Sequence, residues 1–173
     1  MHFAPEENIK FQISNKCNKY DTADFIRNDC DLKLDLSNMI ELKNGSYDIV
    51  IAFDVLEHVP DYENAIDEVN RILTDGGWGI FTVPQKDDLL ITYEDSTIVT
   101  PEDRAKHFGQ WDHLRIFGDD FSKIIKSKGF DVITINESNF PENIQRKYVL
   151  FPPVLSSHPL ATNKRKVFFC QKG

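Results

Sequence analysis

Apolar residues along the chain fall into two alternating patterns. Tyr47-Asp48-Ile49-Val50-Ile51-Ala52-Phe53 is a nearly continuous run, the signature of a strand buried on both faces of a parallel sheet. Tyr62, Ala65, Ile66, Val69, Ile72 and Leu73 then trace one stripe of an α-helix. Asp61 and Glu63 suit the electropositive first turn of that helix and Arg71 its last turn, and Gly76-Gly77 are expected to stop it. Trp78 to Val83 predicts the next buried strand, ended by Pro84. Strand, helix and strand in that order make a right-handed parallel crossover.

The pattern recurs. Asp119-Asp120 open a helix with Phe121, Ile124 and Ile125 on one face and Gly129 as its stop; Phe130 to Asn136 and Val167 to Cys170 predict strands. Upstream, His2-Phe3-Ala4 reads as the tail of a strand, residues 6–16 as weakly helical, and short strands are expected before Asp24 and Asp35. Alternation of this kind predicts an open α/β sheet with helices on both faces. Residues 85–116 carry no clean period, and residues 137–165 hold Pro141, Pro152, Pro153 and Pro159. We expect both as irregular inserts in a single domain spanning 1–173.

Charge narrows the partners. The 173-residue chain carries a net charge of −8, and so acidic a surface repels phosphate backbones and anionic lipid. No nucleic-acid or membrane partner is expected. Lys164-Arg165-Lys166 is the one basic run, read as a solvated face. Cys17, Cys30 and Cys170 form no C-x-x-C pair and fit reduced thiols of a cytoplasmic protein.

Open parallel sheets bind ligands beyond the carboxyl ends of their strands. Ala4-Pro5-Glu6, Asp24, Asp35, Phe53-Asp54 and Pro84-Gln85 stand at those ends. A carboxylate there either accepts hydrogen bonds from ribose hydroxyls or an adenine amino group, or it merely caps a turn. The first such loop contains no glycine, and Glu6 puts a negative charge in it. That charge suits a cationic, phosphate-free ligand and is hostile to NAD, whose pyrophosphate needs bare amides.

The stretch YDIVIAFDVLEHVPDYENAIDEVNRILTDGGWGIFTVP resembles class I S-adenosylmethionine-dependent methyltransferases: F-D-hydrophobic-I, then V-L-E-H-hydrophobic, a helix, R-hydrophobic-L, two glycines and a further strand. Met1 to Glu6 are similar to the L-H-F-A-P-E first loop of one subfamily of the methyltransferase type 11-like proteins. Lys19 to Asp24 look like that subfamily's second strand, and Thr92-Tyr93-Glu94-Asp95 with RAKHFGQWDHLR (Arg104 to Arg115) look like its insert. The likeness reaches to about residue 136.

This resemblance implies a Rossmann-like, doubly wound sheet of order 3-2-1-4-5-7-6, mostly parallel with an antiparallel C-terminal strand. It implies S-adenosylmethionine as cofactor, S-adenosylhomocysteine as product and a small or polar acceptor. Phe3, Ala4, Pro5 and Glu6 would line the methionine side, Asp24 would accept the ribose hydroxyls, Asp35 with Leu36 would lie against adenine, and Phe53 and Asp54 would meet the amino-acid end. Tyr93, Glu94, Arg104, Gln110 and Arg115 form the expected substrate lid, read alternatively as a salt-bridged surface loop. His58 and His113 are the candidate bases, with packing at the helix start as the other reading of His58. His107, Asp112 and His113 lack a fourth ligand at useful spacing, so no metal is expected.

The chain also departs from its likeness. Members of the resembling family carry helices ahead of the first strand, and the subfamily a cysteine-rich segment of the zinc-binding kind. Here the chain opens within the strand, as a naturally short protein or as a fragment. Dimerisation is one way to cover the gap, with Tyr148-Val149-Leu150-Phe151 as the expected contact. The competing functional reading is a catalytically silent binding module of the same fold.

Overall fold

The buried run at 47–53 becomes the strand about which the others are ordered. In the computed structural model, which describes residues 1–150, 152 and 154–173, the elements follow as β1 (His2–Phe3), α1 (Glu7–Ser14), β2 (Thr22–Asp24), β3 (Leu32–Lys33), β4 (Tyr47–Phe53), α2 (Tyr62–Ile72), β5 (Leu73–Thr82), β6 (Tyr93–Glu94), α3 (Pro101–Phe108), β7 (Arg115–Ile116), α4 (Phe121–Ser127), β8 (Phe130–Ile135), α5 (Glu142–Tyr148) and β9 (Val167–Lys172). Seven strands make one sheet in the order β3-β2-β1-β4-β5-β9-β8. Counting sheet strands alone, this is the order 3-2-1-4-5-7-6 that the sequence leads one to expect. All pairs are parallel except those of β9, which runs antiparallel to both β5 and β8.

Helix α2 forms where the apolar stripe places it. Asp61 Oδ1 accepts the Asn64 N–H at 3.0 Å and caps its start. Tyr62, Ala65, Ile66, Val69 and Ile72 are buried against the sheet. Each large aliphatic side chain buried this way contributes about 1.5–3 kcal/mol. The end of the helix differs from expectation. Gly76-Gly77 do not stop it; α2 ends at Ile72 because Leu73 is already extended, and the chain passes directly into β5. Tyr47 pairs with Leu73, yet Ile49 pairs with Trp78, so the intervening residues of β5 bulge out of the ladder. The glycines serve that bulge. Gly76 takes a φ of +72°, and a Cβ on Gly77 would stand 2.8 Å from the Thr74 carbonyl oxygen.

The other half of the core is aromatic. Phe117, Phe121 and Phe168 stack in sequence, with ring centroids 4.7 and 5.0 Å apart, between α4 and β9. Residues 85–116 contain more regular structure than their composition suggests. Strands β6 and β7 pair antiparallel and bracket α3. Thr100 caps α3 by accepting the Asp103 N–H, Pro101 opens it, and Gly109, at φ +93°, closes it. Residues 137–165 include a 3-10 turn at Glu137–Asn139 and α5. On the expected contact stretch, Tyr148 and Val149 are exposed, while Phe151 lies outside the described residues.

Phe121→Ala should lower the free energy of unfolding by about 3–5 kcal/mol in urea denaturation, whereas Phe11→Ala, on a side chain 76% exposed, should change it by less than about 0.5 kcal/mol. Equal effects would refute this placement of the core.

Candidate functional site

The carboxyl ends of β1 and β4 lie side by side where the strand order reverses, the crevice that open α/β sheets use for ligands. Each strand ends on a non-glycine residue in the left-handed region: Ala4 with φ +45° and Asp54 with φ +49°. Such backbone costs of order 1–3 kcal/mol and persists only where surrounding bonds fix it. Here they do. The Ala4 N–H donates to the Ala23 carbonyl at 2.8 Å, and the Asp54 N–H donates to the Thr82 carbonyl at 3.0 Å.

The predicted residues fall around this crevice in unequal ways. Ala4 is half-buried and Glu6 exposed at its edge, while Phe3 and Pro5 are buried. Glu6 begins α1, and its Oε2 lies 3.1 Å from Nε2 of the fully buried His2, whose Nδ1 is 2.7 Å from the Tyr20 hydroxyl. Phe53 packs edge-on to the His2 ring. Asp24, at the end of β2, divides its carboxylate. Oδ1 accepts the N–H groups of Ile26 and Arg27 at 2.7 and 2.8 Å, and Oδ2 makes no hydrogen bond among the described residues. The turn-capping and ligand-binding readings of Asp24 are therefore compatible, one per oxygen. Arg27 also donates to the Pro5 carbonyl at 3.1 Å and ties the two loops together. Asp35 Oδ1 is occupied by the backbone N–H and hydroxyl of Ser37, and Leu36 is buried in the core. Beyond Asp54, Arg165 approaches its Oδ2 at 3.5 Å. Arg165 also lines a cavity of about 550 Å³ with Leu150, His158 and Asn163.

A second group gathers one turn further on. Glu57 and His58 follow β4, and His113 precedes β7. Glu57 and His113 are buried, at 1% and 8% exposure, and His58 is half-buried. The His58 and His113 rings meet edge-to-face with centroids 4.8 Å apart. His113 Nδ1 donates to the Phe108 carbonyl at 3.1 Å, which turns Nε2 toward Glu57 Oε1, 4.0 Å away. His58 Nδ1 lies 3.3 Å from Asp112 Oδ2. Burial holds the His113 imidazole below its usual range, hence neutral, and pushes the Glu57 carboxyl up to about 8. Glu57 Oε2 is buried without a hydrogen-bond partner among the described residues.

Of the expected lid, Arg115 and Glu94 turn to structural work. Arg115 is buried, and its guanidinium donates to the carbonyls of Leu56, Val59 and Pro60 and to Glu94 Oε2. It also stacks over the Tyr62 ring at 4.6 Å. Together Arg115 and Glu94 fasten the insert to the loop after β4. Arg104 lies on α3 with a buried Nε that has no partner among the described residues. Gln110 donates to Asp112, which in turn faces His58. Tyr93 stands 3.4 Å from His107 Nδ1 beside a cavity of about 210 Å³. His107 is thus far removed in role from His113, and the set His107, Asp112 and His113 considered from sequence is replaced by Glu57, His58 and His113, whose ligand atoms all lie within 4.8 Å. Glu57 escaped the sequence reading because its partner stands more than fifty residues downstream.

Known proteins share this architecture. The profile of a family described as methyltransferase domain matches residues 4–138. An S-adenosylhomocysteine-bound 1,6-didemethyltoxoflavin-N1-methyltransferase from Burkholderia thailandensis superposes with a TM-score of 0.61 at 11% identity, covering 99% of this chain and 70% of that one. A SAM-dependent methyltransferase from Archaeoglobus fulgidus gives 0.59 at 11% identity, over 99% and 84% of the two chains. One from Mesorhizobium loti gives 0.58 at 12%, over 99% and 89%. No curated protein matches the sequence. Among the described residues, no helix is long and apolar enough to cross a membrane.

The strain at Ala4 sets an expectation. Ala4→Gly should leave the urea midpoint within about 1 kcal/mol of wild type, since relief of the left-handed φ offsets glycine's entropy, while Ala4→Val should cost more than about 2 kcal/mol. A glycine variant as unstable as the valine variant would contradict the left-handed turn.

Proposed function

Since the chain belongs to the methyltransferase domain family, we propose that it transfers a methyl group from S-adenosylmethionine to a small, polar acceptor. The observation that carries this reading is the crevice itself: two left-handed strand ends, Ala4 and Asp54, beside an Asp24 whose Oδ2 is unengaged. Its donor set fits the cofactor. Carboxylates at 6, 24, 35 and 54 suit hydroxyls, an amino group and a sulfonium, and the loop offers no glycine-rich nest for a pyrophosphate. When bound, S-adenosylmethionine supplies a methyl group already activated on sulfur.

The work left to the protein is positioning and exclusion of water. Asp24 Oδ2 accepts the ribose hydroxyls while Oδ1 holds its turn in place. Ala4 lets the backbone approach closely with only a methyl group in the way, and Glu6 puts negative charge on the methionine side, with Phe3 and Pro5 packing behind. Phe53 and Asp54 border the amino-acid end, and Asp35 the adenine end, with Leu36 supporting it from the core. His58 and His113 mark the acceptor side, with Tyr93, Arg104 and Gln110 on the covering segment. The first loop, His2-Phe3-Ala4-Pro5-Glu6, supports a place in the glycine-free subfamily that the sequence resembles. Three cysteines without a C-x-x-C pair support a reducing, cytoplasmic setting.

Calorimetric titration with S-adenosylhomocysteine should give micromolar binding. Asp24→Asn keeps the Oδ1 acceptor of the turn and converts only the unengaged oxygen to a donor, so it should weaken binding about tenfold or more with no loss of stability. Absence of binding at millimolar ligand would sink the methyltransferase reading in favour of a silent module.

A further inference from the structure

We propose that Glu57, His58 and His113 bind one divalent transition-metal ion of the zinc type. Each residue offers one ligand atom, and the three atoms lie within 4.8 Å of one another. Zinc bonds of about 2.0–2.2 Å place tetrahedral ligand atoms roughly 3.4 Å apart. The Glu57–His113 pair, at 4.0 Å, therefore has to close by about 0.6 Å, and the widest pair, at up to 4.8 Å, by about 1.4 Å, which calls for side-chain rotation at His58 or its partners.

Three features point to an ion rather than to a polar core. The first is the orphaned carboxylate oxygen. Glu57 is 1% exposed, and its Oε2 has no partner among the described residues. A buried polar group left this way costs free energy that a cation restores. The obvious alternative, a neutral carboxylic acid donating to His113 Nε2, is not made, because 4.0 Å is too long for a hydrogen bond. The second is the outer shell. Histidines that ligate metals characteristically present their other ring nitrogen to a carbonyl or carboxylate, which fixes tautomer and orientation. His113 Nδ1 meets the Phe108 carbonyl at 3.1 Å and His58 Nδ1 meets Asp112 Oδ2 at 3.3 Å. His113 thus has Nδ1 held and Nε2 available, while His58 has Nδ1 beside a carboxylate without a hydrogen bond to it. The third is ligand type. Two imidazoles and one carboxylate suit zinc, cobalt or iron, whereas magnesium and calcium favour oxygen shells.

Three protein ligands leave a fourth position for water or a substrate lone pair. This clause rests on the methyltransferase reading: an acceptor bearing a hydroxyl would be oriented there and lose its proton more readily.

The test is a cobalt titration of the untagged chain, without cofactor, followed by visible absorption. Wild type should bind one equivalent of Co²⁺ with micromolar affinity, develop ligand-field bands, and lose them to stoichiometric Zn²⁺ but not to millimolar Mg²⁺. Glu57→Gln and His113→Gln should each weaken Co²⁺ binding about tenfold or more, while His107→Ala leaves it unchanged. Circular dichroism checks that each variant folds. Should a buried variant fail to fold, His58→Ala, whose side chain is 33% exposed, should show the same loss. Folded wild type that binds no stoichiometric cobalt, or variants that bind as well as wild type, would overturn the proposal. Because S-adenosylhomocysteine is absent, the outcome is independent of the crevice reading, and its binding to the metal-free chain tests that reading separately.

Discussion

One guanidinium joins the insert to the loop that follows β4. Arg115 reaches back from the insert to the carbonyl groups of Leu56, Val59 and Pro60 in the turn after β4 and is held in turn by Glu94 and the Tyr62 ring. The Leu56 carbonyl also accepts the Val59 N–H at 3.3 Å, and the guanidinium supplies donors to the Val59 and Pro60 carbonyls, which the turn itself leaves without a strand partner. Their capture fixes the path of residues 56–60. The backbone N–H of Leu114 adds a bond to the Glu57 carbonyl at 2.9 Å. Glu57, His58 and His113 are neighbours because of this joint and not because of their own attraction.

The crevice beside them obeys a different constraint. Glycine is the usual answer where a chain must turn with positive φ under a ligand. This chain has Ala4 and Asp54 with positive φ at two strand ends and holds them by hydrogen bonds to the adjoining strands. The arrangement trades conformational ease for rigidity: a residue that resists the left-handed region, once forced there, has few other conformations to visit. Asp24 shows a related economy, since a single carboxylate both closes its own turn and presents an oxygen outward.

The parallel heart of the sheet was legible because periodicity reports burial directly. Residues 47–53 and the stripe from Tyr62 to Ile72 state their neighbours in their spacing. The glycine pair at 76–77 misled, because a helix stop and a strand bulge call on the same residue for the same freedom of φ. Helix α3 escaped notice although Thr100, Pro101, Asp103 and Gly109 spell its two ends; its single buried residue, Phe108, gives no stripe to read. The contacts of Arg115 were not legible because nothing in a sequence tells whether a guanidinium faces water or backbone carbonyls. The Glu57 cluster was invisible for the same reason that makes it informative: its members are close only after the sheet and the insert have both formed.

Strands β6 and β7 pair at Tyr93–Ile116 and Glu94–Arg115, so the chain leaves the body of the protein and re-enters it at neighbouring points. A segment closed at its base in this way behaves as a cassette. Its length and surface, α3 included, are able to change across descendants without shifting register in the main sheet. The sheet and the cassette can therefore diverge at different rates, provided the strand pairing at the base is kept.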